Sequence, residues 1–74
     1  MSMTKKHFEA IARVISTDAK LAFKDLDANP QDSFAAGKLY ALRSVAGQFA
    51  RLAAQDNPRF DTLRFLRACG VNRD

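Results

Sequence analysis

Two Asn-Pro steps, Asn29-Pro30 and Asn57-Pro58, divide this chain into three segments and constrain its fold more than any other feature. A proline drives the preceding residue out of the α region, so a helix usually ends at such a step. Within the segments, apolar residues recur every three or four positions, which is the spacing of one helix face. The pattern predicts an all-α fold, a small bundle of three or four helices.

The first segment predicts a helix over residues 4–27, with Thr4 as a plausible N-cap. Its apolar side chains keep one phase along the whole segment: Phe8, Ile11, Ala12, Ile15, Ala19, Ala22, Phe23 and Leu26. Residues 16–18, Ser-Thr-Asp, prefer caps and turns. The segment therefore forms either one long helix or two collinear helices with a break at that point.

The second predicted helix covers residues 31–55, and Asn29, Asp32 or Ser33 can cap it. Its apolar stripe comprises Phe34, Leu39, Leu42, Val45, Ala46, Phe49, Leu52 and Ala53. Positions 42, 45, 49 and 52 of this stripe alternate steps of three and four, as the seam of a coiled coil does. This regular spacing makes the second helix the clearest of the three.

The third predicted helix is short, over residues 59–69, and its start is either Pro58 or Asp61. Asn57 suits its N-cap, Pro58 its first turn, and Gly70 the left-handed residue that closes it. A helix of this length is unstable alone in water, so it must dock on the other two. The residues expected to dock are Phe60, Leu63 and Leu66.

The length and charge of the chain limit the kinds of protein it can be. Its 74 residues form a single helical domain, 1–74, whose core supplies a net ~3–5 kcal/mol, so that dimerisation or a partner often adds the rest. Twelve Lys and Arg against eight Asp and Glu give a net charge of +4, which favours acidic partners. No secretory signal and no apolar run of membrane-spanning length occurs, and the one cysteine, Cys69, fits a reducing compartment. We expect a cytoplasmic protein without membrane contact.

The residue types that perform catalysis are sparse: one histidine, one cysteine, one tyrosine and no tryptophan. His7 and Glu9 lie two residues apart, and such positions on a helix point in different directions. The acidic residues of the first helix lack the ligand spacing of a calcium loop. The sequence therefore predicts no enzyme activity, no metal site and no cofactor, and Cys69 is expected to be a small buried hydrophobe.

Binding is the remaining class of function, and two surfaces are candidates for it. One is the face of the third helix with its arginines, and the other is a side of the second helix that falls off the apolar stripe. Aromatic and arginine side chains are enriched at interface hot spots, so a protein is the predicted partner. The predicted partner-binding residues are Tyr40, Arg43, Arg59, Arg64, Phe65 and Arg67.

Two other kinds of partner fit the same residues. A basic helical accessory protein would contact nucleic acid through its arginines, and it would contact phosphates rather than read bases. A homodimer through the second helix and a heteromeric contact through the third are both compatible with the pattern. The sequence leaves these alternatives open.

Short proteins of unknown function encoded by bacteriophages and prophages resemble this chain in about half of its length. The resemblance lies in Phe8-Glu9-Ala10-Ile11-Ala12, Asn57-Pro58-Arg59-Phe60-Asp61, Arg64-Phe65-Leu66 and Ala68-Cys69-Gly70. It implies a small accessory protein in a bacterial host cell that occupies a surface of a host or phage complex, inhibition of a defence system included. The segment 16–37 departs from the pattern, and the positive charge argues against an acidic mimic of DNA.

Overall fold

The computed structural model describes residues 3–72 and contains, in that range, three α-helices and no strand. Helix α1 spans Lys5–Ala28, α2 spans Ser33–Asp56 and α3 spans Thr62–Cys69. A short turn joins α1 to α2 as an antiparallel hairpin, and α3 packs against both. The prediction of a small all-α bundle is confirmed, with three helices in the described range.

Helix α1 runs without a break through residues 16–18. The hydroxyls of Ser16 and Thr17 each donate a hydrogen bond to the backbone carbonyl of Arg13, at 2.9 Å. These bonds satisfy the two side chains inside the helix, so they do not compete for the helix backbone at a turn. At the start of α1, the backbone N–H of Thr4 donates to Nδ1 of His7 at 3.0 Å, and Thr4 is the N-cap.

Each Asn-Pro step forms the same local structure. Asn29 and Asn57 are the residues that end α1 and α2. The side-chain oxygen of each accepts a hydrogen bond from the backbone N–H two residues later, on Gln31 at 3.1 Å and on Arg59 at 3.0 Å. This is the bonding of an Asx turn, which replaces helical bonds with a local side-chain bond.

An aspartate after each turn starts the next helix. Asp32 caps α2 and Asp61 caps α3, and each carboxylate accepts the backbone N–H three residues later at 3.0 Å. Asp32 was one of the three predicted caps of α2. Of the two predicted starts of the third helix, Pro58 is wrong, because Asn57 bonds within its own turn, whereas Asp61 agrees with α3, which begins at Thr62.

Replacing Asp61 with alanine is expected to lower the free energy of unfolding by about 1 kcal/mol, because the backbone N–H of Arg64 in the first turn of α3 loses its side-chain acceptor. Urea denaturation followed by circular dichroism measures this change. Asp56→Ala is the matched control, since Asp56 lies at the negative end of α2, where removing a carboxylate has no cost. Equal losses in both variants would contradict the capping role.

The end of α3 is fastened to both other helices. Gly70 has φ of +64°, as predicted for the left-handed closing residue, and its N–H donates to the carbonyl of Arg67 at 3.1 Å. Val71 follows it into the core. The carbonyl of Val71 accepts a hydrogen bond from Nε of Arg43 on α2 at 2.9 Å, while Gly70 lies beside Ser16 of α1.

The core is made mostly of small side chains. Seven of the twelve buried apolar residues are alanines: Ala12, Ala19, Ala22, Ala35, Ala46, Ala50 and Ala53. Because alanine is short, these positions allow the helix backbones to approach one another closely. The stripe predicted for α1 is confirmed, since its members are either buried or packed against the core.

A cluster of four phenylalanines fills the end of the bundle where α1 and α3 begin. The ring centroids lie 4.6 Å apart for Phe8 and Phe60, 5.4 Å for Phe49 and Phe65, 5.6 Å for Phe60 and Phe65, and 6.0 Å for Phe8 and Phe49. These tilted and edge-on arrangements are the favourable geometries for aromatic pairs. The cluster joins all three helices to the turn that precedes α3.

The predicted apolar stripe of α2 is wrong at three positions. Leu39, Ala46 and Ala53 are buried, and Leu42 and Phe49 pack against the core, as expected. In contrast, three large members of the stripe are mainly exposed to solvent: Phe34, Val45 and Leu52. The alanines of α2 occupy the core positions instead, so the exposed members lie to one side of the contact with α1.

The predicted burial of Leu63 is also wrong. It was expected to dock α3, yet 67% of its surface is exposed. Docking is performed by Phe65 and Cys69, which are buried, and by Phe60 and Leu66, which pack against the core. The face that α3 buries is centred on Phe65 and Cys69, four residues apart.

Candidate functional site

The structure distributes the predicted partner-binding residues over separate places. Arg59 and Arg64 line one cleft at the end of the bundle. Arg67 is exposed on α3 outside that lining, and Tyr40 and Arg43 lie on α2. The arginines before and within α3 therefore form two groups.

Phe65, one of the predicted partner-binding residues, is mostly buried. It is 5% exposed and belongs to the phenylalanine cluster, with its ring against Phe49 and Phe60. Most of its surface is buried in the core, and the small part that stays accessible lines the floor of a cleft. Phe65 is thus chiefly a structural residue.

Tyr40 and Arg43 differ in how far their side chains are bound within the fold. Tyr40 is 75% exposed, so its ring is available to a partner. Arg43 uses Nε to bind the carbonyl of Val71, which gives it a structural task in holding the end of α3. Its side chain remains exposed around that bond.

The terminal cleft lies between the start of α1, the turn before α3, and α3 itself. We use this name for the cavity of about 340 Å³ whose apolar floor is formed by Phe8, Phe60 and Phe65. Ala12 and Ala68 extend the floor between the two helices. Phe8 was not among the predicted site residues, because its helical phase is that of a core residue.

Charged side chains surround the terminal cleft. Lys5, Arg59 and Arg64 supply three cations, while Glu9 and Asp61 supply two carboxylates. The Asp61 carboxylate already accepts the N–H of Arg64 as a helix cap. A ligand that inserts an apolar group against the floor would meet cations at the rim, and its own carboxylates would pair with them.

A second surface, which we call the hairpin face, consists of exposed apolar side chains on α1 and α2: Val14, Leu21, Phe34, Val45 and Leu52. Ser16 on α1 lies beside Gly70, and Arg43 on α2 binds Val71, so these two residues show which side of each helix faces the end of α3. Val14 and Val45 each lie two residues from these markers, a rotation of about 200° around a helix. They therefore point away from α3.

The remaining members of the hairpin face keep the same direction. Leu21 follows Val14 by seven residues and Leu52 follows Val45 by seven, which is close to two full turns. Phe34 precedes Val45 by eleven residues, or about three turns. The seven-residue spacing is the sequence signal by which this face is recognisable.

The single thiol lies away from both surfaces. Cys69 is fully buried on α3, and burial raises the pKa of its thiol above the ordinary value. A higher pKa reduces the thiolate form, which is the reactive species. The expectation that Cys69 is a small buried hydrophobe is confirmed.

No family model, no curated protein and no solved structure matches this chain. The resemblance to short phage proteins stays a prediction from the residues quoted above. In the described range of the chain, none of the helices combines the length and the hydropathy needed to cross a membrane. The surfaces and their chemistry are therefore the basis for a proposed function.

Proposed function

We propose that this protein acts by binding another protein, without catalysing a reaction, and that the terminal cleft receives the partner. The observation that carries the proposal is the combination of a phenylalanine floor with a rim containing Lys5, Arg59 and Arg64. Aromatic and arginine side chains around a pocket are the typical composition of an interface hot spot. The complementary partner segment has an apolar side chain next to carboxylates.

The class of partner follows from the resemblance to phage proteins. We extend the proposal to a component of a host or phage complex, whose surface this protein covers. Covering a surface inhibits the partner when that surface is needed for activity, as in a bacterial defence complex. The net charge of +4 favours an acidic patch on that component.

Nucleic-acid binding is the alternative function, and it is supported by the exposure of Arg59, Arg64 and Arg67 near one end of the bundle. Such binding depends on phosphate contacts, so its affinity falls steeply with salt concentration. Binding that centres on an apolar floor responds much less to salt. A salt titration of the complex therefore separates the two functions.

The variant Arg59→Glu with Arg64→Glu is expected to reduce capture of the partner at least tenfold, because two cations of the rim become anions that repel its carboxylates. Capture is measured by pull-down from a nuclease-treated bacterial lysate, followed by mass spectrometry. Arg13→Glu with Lys20→Glu is the matched control, since it makes the same charge change on exposed positions of α1 outside the cleft.

Two results would count against the cleft as the binding site. One is equal capture of the same protein by the cleft variant and the wild type. The other is loss of capture in both charge-reversal variants, which would indicate attraction by overall charge alone. Binding to a duplex or single-stranded oligonucleotide with a steep salt dependence, and no captured protein, would favour the alternative function.

A further inference from the structure

We propose that the hairpin face binds a second copy of this chain and forms a symmetric dimer. In this dimer, α1 and α2 of one copy stack on α1 and α2 of the other, and each α3 lies on the outside. The inference goes beyond the proposed function, because the terminal cleft is not part of the hairpin face.

The first argument for the dimer is the distribution of large and small apolar side chains between the core and the surface. Alanines occupy most of the core, while Val14, Phe34 and Leu52 are each more than 60% exposed on the hairpin face. Burying a large apolar side chain is worth more than burying alanine, so a chain with this distribution gains further stability by covering the face. Contiguous exposed apolar surface marks an interaction site.

The accessible surface of the chain supplies a second argument. It is 5743 Å², whereas a compact monomer of 8.2 kDa exposes about 4,500 Å². The excess is about 1,200 Å², and a standard dimer interface covers about 800 Å² on each partner. One hairpin-to-hairpin contact of standard size would therefore cover about two thirds of this excess.

Charge complementarity favours a second copy in one particular arrangement. Asp18 and Asp25 border Leu21 on the side of α1 towards α2, three residues before it and four after it, and Lys24 borders Leu21 on the other side. Lys38 lies on α2 in the same face, with its ammonium 5.4 Å from the centroid of the Phe34 ring. Placing α1 of one copy over α2 of the other brings the two carboxylates near the partner's ammonium.

The geometry of the hairpin face also suits its own copy. Seven-residue spacing on both helices produces straight apolar ridges, which is the pattern that packs helices side by side. Two stacked hairpins form a four-helix arrangement, a common solution for amphipathic helices. A two-fold axis then uses one surface twice, as symmetric dimers do.

The test is sedimentation equilibrium of the purified full chain from about 1 to 500 µM. The wild type is expected to have twice the monomer mass of 8.2 kDa at the upper concentrations. Leu52→Asp is expected to weaken dimerisation at least a hundredfold, because the dimer would bury an unpaired carboxylate. Leu63→Asp is the matched control: the two leucines are 66% and 67% exposed, and Leu63 lies on α3.

Circular dichroism at low concentration verifies that each variant is helical, and Val14→Asp tests the same face from α1 if Leu52→Asp does not fold. A monomeric wild type at 500 µM would overturn the inference. So would equal weakening by Leu52→Asp and Leu63→Asp. The cleft variant Arg59→Glu with Arg64→Glu is expected to dimerise normally, so failure of the dimer and failure of the proposed function are distinguishable.

Discussion

Replacing Phe65 with alanine is expected to leave most of the protein unfolded at room temperature. The substitution removes a buried ring that contacts Phe49 and Phe60, and a Phe→Ala change in a core costs about 3–5 kcal/mol. A single core of this size supplies a net stability of about 3–5 kcal/mol. The loss is therefore comparable to the whole free energy of folding.

Far-UV circular dichroism and urea denaturation measure the effect of Phe65→Ala. Tyr40→Ala is the control, because it also removes an aromatic ring but from a site that is 75% exposed. Its free energy of unfolding is expected to remain within about 0.5 kcal/mol of the wild type. A Phe65→Ala variant as stable as Tyr40→Ala would mean that the phenylalanine cluster does not hold α3.

Replacing Ala46 with leucine is expected to destabilise the fold by about 1–3 kcal/mol. Ala46 is completely buried in the alanine-rich part of the core, where the added carbons have no space. The helices must then separate, and the close contacts on either side weaken. Urea denaturation at a fixed protein concentration measures the change.

The control for the alanine core is Ala36→Leu. Ala36 is exposed on α2, and leucine forms helix nearly as well as alanine, so this variant is expected to keep wild-type stability. If Ala46→Leu instead stabilised the protein, the core would contain unfilled space. The close approach of the helices would then be disproved.

The comparison of α1 with α2 shows why apolar periodicity predicted one helix better than the other. On α1, the large and small apolar residues share a single stripe, so phase alone identifies the buried side. On α2, the predicted stripe includes Val45 and Leu52, which are exposed, and also their neighbours in sequence Ala46 and Ala53, which are buried. The predicted stripe was too wide, because periodicity does not tell which of two adjacent apolar residues the neighbouring helix covers.

The start of α3 shows a different limit of sequence reasoning. Asn57 and Asp61 both suit an N-cap, and the sequence does not reveal which backbone N–H groups each side chain will reach. Asn57 binds the N–H of Arg59 within its own turn, so Asp61 is left to cap the helix. Helix α3 therefore begins at Thr62, three residues after the start of the predicted range 59–69.

The candidate site was predictable in part. Arg59 and Arg64 were predicted as partner-binding residues and both line the terminal cleft. Lys5 and Phe8 were not predicted, since their proximity to α3 depends on how the start of α1 meets the turn before α3. A site assembled from two ends of the chain is visible only after the helices are packed.

The buried thiol of Cys69 can report on the local opening of α3. A helix of eight residues has little stability of its own, so we expect α3 to detach before the two longer helices do. Each detachment uncovers Cys69, the only cysteine in the sequence. The rate at which a small reagent labels this thiol therefore measures how often α3 opens, and no added probe is needed.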